Sequence, residues 1–379
     1  MQEFIFIYML YALLTYAVLL LTSGVNIKGR QSTYLVFFLI IINSLIACLR
    51  PEQVADTNMY NMAYDTSVSI ISNLTVNSVS DLFANRSYYS IEIVYIFFMS
   101  LFRSLFKSPI LFYFVSGLLS NALILYGLTL VNQYLYLDFQ KESEAKKQRA
   151  VIQTYCIYVL YSGIHYTTVA IRSGLAIGLG LAAIGLLLAY KKRLLSMILL
   201  VLACLVHTTS ILFIGIYLIV RFFPVNLSKK SIAILWIVAM GGYFSNIARY
   251  TTMAAIRMVL GLFSILHINA FSSYITDLEF VVQMREGYIM FFIGLFLVIT
   301  YLPNKRINKL ALIIIVGLFL QTFAYPIHAL SRLVDIFTIF LIPIVCYSVS
   351  NADVKYLNRM VLYGTVFLLV PQYVMIFGR

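Results

Sequence analysis

Long apolar runs, separated by short polar turns, occupy most of this chain and limit what it can fold into. Of its 379 residues, 62% are hydrophobic and only 11% are charged, and the mean hydropathy is +0.94. Water-soluble domains of this length do not have such a composition, so the sequence predicts a polytopic membrane protein. Since spans of this kind must satisfy their own backbone hydrogen bonds, we expect an all-α fold. The runs predict about 12 to 14 transmembrane helices in a single transmembrane domain over residues 1–379.

Charge separates the turns into two sides of the membrane. The turn Lys191-Lys192-Arg193 and the charged segment 133–150 carry basic residues and are predicted to be cytoplasmic. Two mixed segments, 50–87 and 249–286, are predicted to be helical or irregular and to lie on the periplasmic side or in the interface. The charge rule leaves the orientation of residues 1–132 open.

The net charge, the spacing of the cysteines and the lack of certain motifs disfavour several classes of protein. The net charge is +13, but the basic residues are scattered singly or in short groups, which fits lipid head groups and not nucleic acid. The four cysteines lie in or beside apolar runs without metal or disulfide spacing, so we interpret them as packing residues. There is no nucleotide-binding glycine loop and no H-E-x-x-H motif. We therefore expect neither a metal nor a cofactor.

The stretch 165–221 contains the most informative arrangement. Two apolar arms meet at the basic turn, with Arg172 at the far end of the first arm and His207 at the far end of the second. At 1.5 Å per residue the arms are about 27 and about 20 Å long, and the second is too short to cross fully. The sequence therefore predicts that Arg172 and His207 come together in a recess that opens away from the cytoplasm.

These two side chains suit an anionic substrate and a proton transfer. A guanidinium at Arg172 is always charged and grips phosphate oxygens, and the small Ser173-Gly174 lets a ligand or a helix approach. An imidazole at His207 accepts a proton near neutral pH. The alternatives are an interfacial arginine that reaches the head groups and a hydrogen-bonded core histidine. Gly178, Gly180 and Gly185 most simply serve close helix packing.

Other ionisable residues near the same face are further candidates, because charged groups at membrane depth are expensive. Arg332 is either a second phosphate clamp or one half of an ion pair with Asp335, three residues later. Asp56 and Glu92 are placed to hydrogen-bond sugar hydroxyls or to orient His207, although a solvated carboxylate is the simpler interpretation of Asp56. The remaining candidate substrate-binding residues are Tyr60, His165, Tyr166, Tyr325 and His328.

The order of these motifs resembles the EpsG/Wzy-type polysaccharide polymerases. The resemblance rests on Arg172-Ser-Gly-Leu-Ala176, the small-residue helix and basic turn that follow it, and His207-Thr-Thr-Ser210. Asp56-Thr-x-x-Tyr60, Ser90-Ile-Glu92 and the late Arg332 helix occur in the order that the family shows. The family more often has R-Q where this chain has Arg172-Ser173, so any role of that glutamine is absent here.

The resemblance implies a glycosyltransferase of the GT-C class in the bacterial inner membrane. Such an enzyme moves a growing glycan from undecaprenyl diphosphate onto the hydroxyl of a new lipid-linked repeat unit at the periplasmic face. Arg172 and Arg332 would stabilise the leaving diphosphate without a metal, and His207 would be the base or a hydrogen-bond donor. The expected partners are the lipid-linked donor and acceptor and the bilayer, and a chain-length regulator is a further candidate.

Two other functions compete with this one. An O-antigen ligase-type transferase uses the same donor but usually carries a large basic outer loop, of which 249–286 is a modest version. A flippase or transporter of lipid-linked saccharide would favour paired repeats with broken helices, which the sequence does not display.

Overall fold

A computed structural model provides the fold of this protein. It describes residues 2–24, 29–54, 56–67, 91–135, 144–223, 227–245, 247, 250–255, 257–258, 284–299, 305–324 and 335–351. All the regular elements among these residues are helical. The predicted all-α class is therefore confirmed.

The helices are numbered here in chain order. The first seven are α1 Gln2–Gly24, α2 Gly29–Cys48, α3 Thr57–Thr66, α4 Ile93–Leu105, α5 Ile110–Leu135, α6 Glu144–Tyr158 and α7 Ile171–Tyr190. The others are α8 Arg193–Val206, α9 Leu212–Phe222, α10 Lys229–Phe244, α11 Met284–Ile299, α12 Lys305–Ala324, α13 Asp335–Thr338 and α14 Leu341–Asn351. Two π-helical turns, Val159–Gly163 and His165–Val169, precede α7, and a 3₁₀ turn, Thr208–Ile211, precedes α9.

Among the described residues, five helical segments are long and apolar enough to cross a membrane: Gln2–Thr22, Arg30–Cys48, Ile110–Leu135, Ile171–Tyr190 and Arg306–Phe323. Four shorter apolar segments are Ile93–Leu105, Arg193–Val206, Thr208–Phe222 and Ile336–Tyr347. The chain is thus a multi-pass membrane protein. The total of about 12 to 14 spans stays a prediction, because several of the apolar runs lie outside the described residues.

The chain forms two compact units, one of residues 1–215 with 346–379 and one of residues 216–345. In the first unit, the small residues of α5 and α7 let these helices approach closely. A Cβ atom added to Gly127 would lie 2.6 Å from backbone atoms of Leu181 and Ala182, and one added to Gly178 would lie 2.7 Å from Leu123 Cβ. The predicted packing role of the α7 glycines is confirmed.

Polar side chains buried in the first unit bond to one another. Asn43 on α2 donates to Asn121 Oδ1 on α5 at 2.9 Å, and Thr167 donates to Asn43 Oδ1 at 3.2 Å. Asn132 on α5 donates to Thr154 Oγ1 on α6 at 2.6 Å. In a low-dielectric interior such bonds specify which helices pair, because an unsatisfied amide there would be costly.

The helices α7 and α8 form the predicted hairpin. Lys191 ends α7 in the left-handed conformation, with φ 57°, and its N–H and that of Lys192 donate to Leu187 O and Leu186 O. Ser196 Oγ donates to Ala183 O at 2.7 Å and joins the two arms. With 14 residues, α8 is about 21 Å long, so the prediction of a short second arm is confirmed.

In the second unit, α10 packs against α11 and α12. The indole ring of Trp236 lies 5.5 Å from the ring of Phe291, and Thr322 Oγ1 donates to Ala239 O at 3.2 Å. Ser228 caps α10, since its Oγ accepts a hydrogen bond from Ser231 N at 3.0 Å. These contacts bring together α10, α11 and α12.

Candidate functional site

Arg172 lies in the first turn of α7, immediately after an irregular stretch of helix. The π-helical turn His165–Val169 ends at Ala170, whose N–H donates to His165 O at 2.9 Å. Gly174 packs directly on the carbonyl oxygen of Tyr166, a position where a Cβ atom would collide. A glycine two residues after Arg172 is therefore required, because the preceding π turn passes so close to it. Such π turns are often found at functional sites.

Glu92 joins the ends of α4, α7 and α8. It is the N-cap residue of α4, in extended conformation, and α4 packs against α8. Its Oε2 accepts a hydrogen bond from Arg172 Nη1 at 2.8 Å, and its Oε1 lies 2.6 Å from His207 Nδ1. The backbone N–H of Thr208 donates to the same Oε1 at 3.0 Å. One carboxylate thus contacts both of the side chains that the sequence singled out.

The environment of this carboxylate keeps it ionised. Burial alone raises the pKa of Glu92, but the hydrogen bond and charge of His207, the charge of Arg172 and the Thr208 N–H together lower it to about 2. The side chains of Arg172, Glu92 and His207 are 14%, 12% and 17% exposed, so solvent still reaches the edge of the site. Because an ionised carboxylate only accepts, the proton in the short contact lies on His207 Nδ1, and in the neutral form of the imidazole Nε2 is then an acceptor.

Tyr60 of α3 completes the surroundings of Arg172. Arg172 Nε donates to the Tyr60 hydroxyl at 2.8 Å, and its Cζ lies 5.5 Å from the centre of the Tyr60 ring. Tyr60 is 1% exposed and packs on Tyr95, with the ring centres 6.1 Å apart. Burial raises the pKa of the Tyr60 hydroxyl, so the phenol stays neutral beside the guanidinium. Behind it lies an apolar cluster that includes Tyr64, Ile91, Ile96, Met99, Phe112 and Ile171.

The predicted proximity of Arg172 and His207 is confirmed. Of the two acidic candidates, Glu92 is the one that holds His207. Asp56 lies at the N-terminus of α3 with φ 64°, and its side chain is exposed, in agreement with the simpler interpretation. His165 is half-buried, and its ring lies 5.3 Å from that of Tyr166, which is buried. The catalytic and substrate-binding roles of all these residues stay predictions.

The other candidates belong to the later part of the chain. Arg332, Tyr325 and His328 lie outside the described residues, as does the side chain of Asp335, whose backbone begins α13. A second phosphate clamp at Arg332 and an ion pair with Asp335 therefore stay predictions.

Two residues near the site did not stand out in the sequence in this role. Thr208 follows His207 directly, and both its N–H and, at 3.4 Å, its hydroxyl donate to Glu92. Arg50 follows α2 and is buried against Tyr60 and Tyr113. The available signal for Arg50 was its position, an arginine between a long apolar run and Pro51.

Chemically, this arrangement combines an oriented proton acceptor with a fixed cation. The carboxylate of Glu92 holds the imidazole through Nδ1 and stabilises the imidazolium that forms when Nε2 takes a proton. The guanidinium of Arg172 lies beside it and suits an anionic group. Within the described part of the chain, no group of three or more His, Cys, Asp or Glu side chains is arranged to hold a metal ion.

Comparison with known protein families gives a match over most of the chain. The model of the EpsG family matches residues 34–377, which is most of the chain and includes every side chain of the site described above. No curated protein and no solved structure matches.

Proposed function

Because this chain belongs to the EpsG family and is a polysaccharide polymerase-type membrane protein, we propose that it joins lipid-linked oligosaccharide repeat units. In this proposal the donor is a growing glycan on undecaprenyl diphosphate. The acceptor is a hydroxyl of a new lipid-linked repeat unit at the periplasmic face of the bacterial inner membrane. The enzyme is a glycosyltransferase of the GT-C class and works without a metal.

One observation supports this proposal above the others: Glu92 contacts both Arg172 and His207. Glycosyl transfer from a diphosphate needs a group that takes the acceptor proton and a positive charge for the leaving diphosphate. The imidazole and the guanidinium have these two properties and meet at one carboxylate. A flippase or transporter forms no glycosidic bond, so it would give no glycan ladder in the test below.

The proposed step transfers one sugar chain. Nε2 of His207 takes the proton from the acceptor hydroxyl, whose oxygen forms a bond to the anomeric carbon of the donor. The bond between that carbon and the diphosphate oxygen breaks, and its electron pair stays on the diphosphate. Arg172 stabilises this developing charge, and Arg332 supplies a second positive charge. Glu92 offsets the charge of the imidazolium until the proton is released.

The test is polymerisation by the purified full-length protein in liposomes that contain a lipid-linked repeat unit. Products are separated on a gel, where polymerisation gives a ladder. We expect Arg172→Lys and His207→Gln to weaken the ladder by about 100-fold or more. Arg193→Lys, on the exposed basic turn, is the matched control and keeps the ladder.

Two results would overturn the proposal. A ladder of undiminished intensity in both site variants removes these side chains from the mechanism. A wild-type protein that makes no ladder, but transfers the glycan once onto lipid A-core, is a ligase. Thermal unfolding of each variant in detergent shows whether a lost ladder reflects lost folding.

A further inference from the structure

Arg50 is a second guanidinium held next to the site. It lies two residues after the end of α2 and directly before Pro51, and only 7% of it is exposed. Its Nε donates a hydrogen bond to Thr57 Oγ1 at 2.9 Å, and Thr57 is the first residue of α3. A charged-group hydrogen bond of this kind fixes the start of α3 relative to the end of α2.

The guanidinium of Arg50 also packs on two aromatic rings. Its Cζ lies 5.2 Å from the centre of the Tyr113 ring on α5 and 5.5 Å from the centre of the Tyr60 ring on α3. The hydroxyl of Tyr113 donates to Asn61 Oδ1 at 2.6 Å, which joins α5 to α3 again. Arg50 is therefore in contact with α3 at Thr57 and Tyr60, and it links this helix to α5.

The ring of Tyr60 is shared by two guanidiniums. Arg172 Cζ lies 5.5 Å from its centre, the same distance as Arg50 Cζ, and Arg172 Nε donates to its hydroxyl. A displacement of the ring changes both contacts of Arg172 with it. The cation–π attraction and the hydrogen bond depend on the position of this ring, and Arg50 is one of the groups that hold it there.

We propose that Arg50 is a positioning residue, which acts through the Tyr60 ring to place the Arg172 guanidinium for glycosyl transfer. This inference rests on the function proposed above. The planar guanidinium stacks on rings and donates sideways to Thr57 at the same time, whereas an ammonium group is a strongly hydrated point charge. The variant Arg50→Lys therefore keeps the positive charge but cannot stack on the rings and donate to Thr57 at the same time.

The first experiment is a double-mutant cycle on the kinetics of the reconstituted full-length protein. We expect Arg50→Lys to lower kcat about ten-fold and to leave KM for the lipid-linked repeat unit within about two-fold, since a misplaced group weakens the transition state. In a Tyr60→Leu background, which lacks the ring, Arg50→Lys is expected to have no further effect on kcat. Arg30→Lys, an exposed change on α2, is the matched control.

The second experiment does not depend on activity. In protein with ¹⁵N-labelled arginine, the Nε–H signal of Arg172 is assigned by its loss in Arg172→Lys. We expect Arg50→Lys to shift this signal and to speed its exchange with solvent at least several-fold, and Arg30→Lys to leave it unchanged. Thr57→Val removes the hydrogen bond of Arg50 but not its charge, and it is expected to cause a smaller change in the same direction.

The two experiments separate the two proposals. If the wild type makes the glycan ladder but the Arg172 signal does not respond to Arg50→Lys or Thr57→Val, the positioning role is wrong. The same conclusion follows if Arg50→Lys lowers kcat equally with and without the Tyr60 ring. If the Arg172 signal responds as expected but the wild-type protein does not join repeat units, the proposed function is wrong. The positioning of Arg172 by Arg50 is then still supported.

Discussion

His207 Nδ1 lies 2.6 Å from Glu92 Oε1, although 115 residues separate the two in the sequence. The contact connects the end of α8 to the start of α4, and the same carboxylate binds Arg172 at the start of α7. Three helix ends therefore depend on one buried negative charge. This dependence gives expectations for activity and for stability that differ between variants.

Removal of the charge on Glu92 should lower the activity, although the geometry of the site is largely kept. In Glu92→Gln the amide oxygen still accepts from His207, but no negative charge balances the imidazolium. We expect the rate of polymerisation to fall about 100-fold or more. The measurement is the ladder assay with reconstituted protein, and Glu3→Gln on the exposed side of α1 is the control. A wild-type rate in Glu92→Gln would remove the carboxylate from the mechanism.

The stability supplied by Glu92 should disappear only in strong acid. Its pKa is about 2 in the folded protein and 4.5 without the site, so this contribution is fully present above pH 4.5. It is lost as the pH falls towards 2, because the protonated carboxyl no longer attracts Arg172 and His207. Because solvent still reaches the site, screening keeps this contribution below the roughly 3 kcal/mol that the full pKa shift would give.

The measurement is thermal unfolding in detergent as a function of pH, for the wild type and Glu92→Gln. We expect the difference between their unfolding temperatures to shrink as the pH falls from 4.5 to 2. A difference that stays the same from pH 5 down to pH 2 would contradict the low pKa of Glu92.

The hydroxyl of Tyr60 should stabilise the fold through Arg172. Tyr60→Phe keeps the ring but removes the acceptor of the Arg172 Nε–H, which lies in a mostly buried position. We expect the free energy of unfolding to fall by about 1–3 kcal/mol. Tyr34→Phe is the control, since Tyr34 is 70% exposed on α2. Equal unfolding temperatures of the two variants would show that the hydrogen bond contributes nothing.

The close contact of α5 with α7 should depend on Gly127. In Gly127→Ala the new methyl group meets the backbone of α7 at 2.6 Å, so the helices must separate. We expect a loss of about 1–3 kcal/mol of unfolding free energy. Gly241→Ala on α10 has no atom within 4 Å of the new methyl group and should be neutral or slightly stabilising. If both variants melt like the wild type, tight packing at Gly127 is not needed.

The hairpin of α7 and α8 was predictable from the sequence because its signals are local. Apolar runs mark its arms, and a basic turn marks its connection. Because the two arms meet at this turn and the second is short, the sequence predicts that His207 lies near Arg172. The two π-helical turns before α7 were not predictable, because no residue type in His165–Val169 distinguishes a π turn from an ordinary helix.

The sequence indicates Glu92 as one of two acidic candidates, but it does not predict that Glu92 contacts both Arg172 and His207. Arg172 lies 80 residues from it in the sequence and His207 lies 115 residues from it. The sequence does not single out Arg50 either, because the contacts of Arg50 are with Tyr60 and Tyr113 and not with its neighbours in the chain. Contacts between side chains that are so far apart in the sequence depend on how whole helices pack against one another.

Hydrophobic length and charge act locally along a chain, so an α-helical membrane protein and the apolar runs of its hairpin are predictable from the residues alone. The carboxylate that binds both an arginine and a histidine, and the tyrosine ring that two arginines share, become visible only in the folded protein. Charges buried at low dielectric must find partners, and the packing of α2 to α8 sets which partners are within reach.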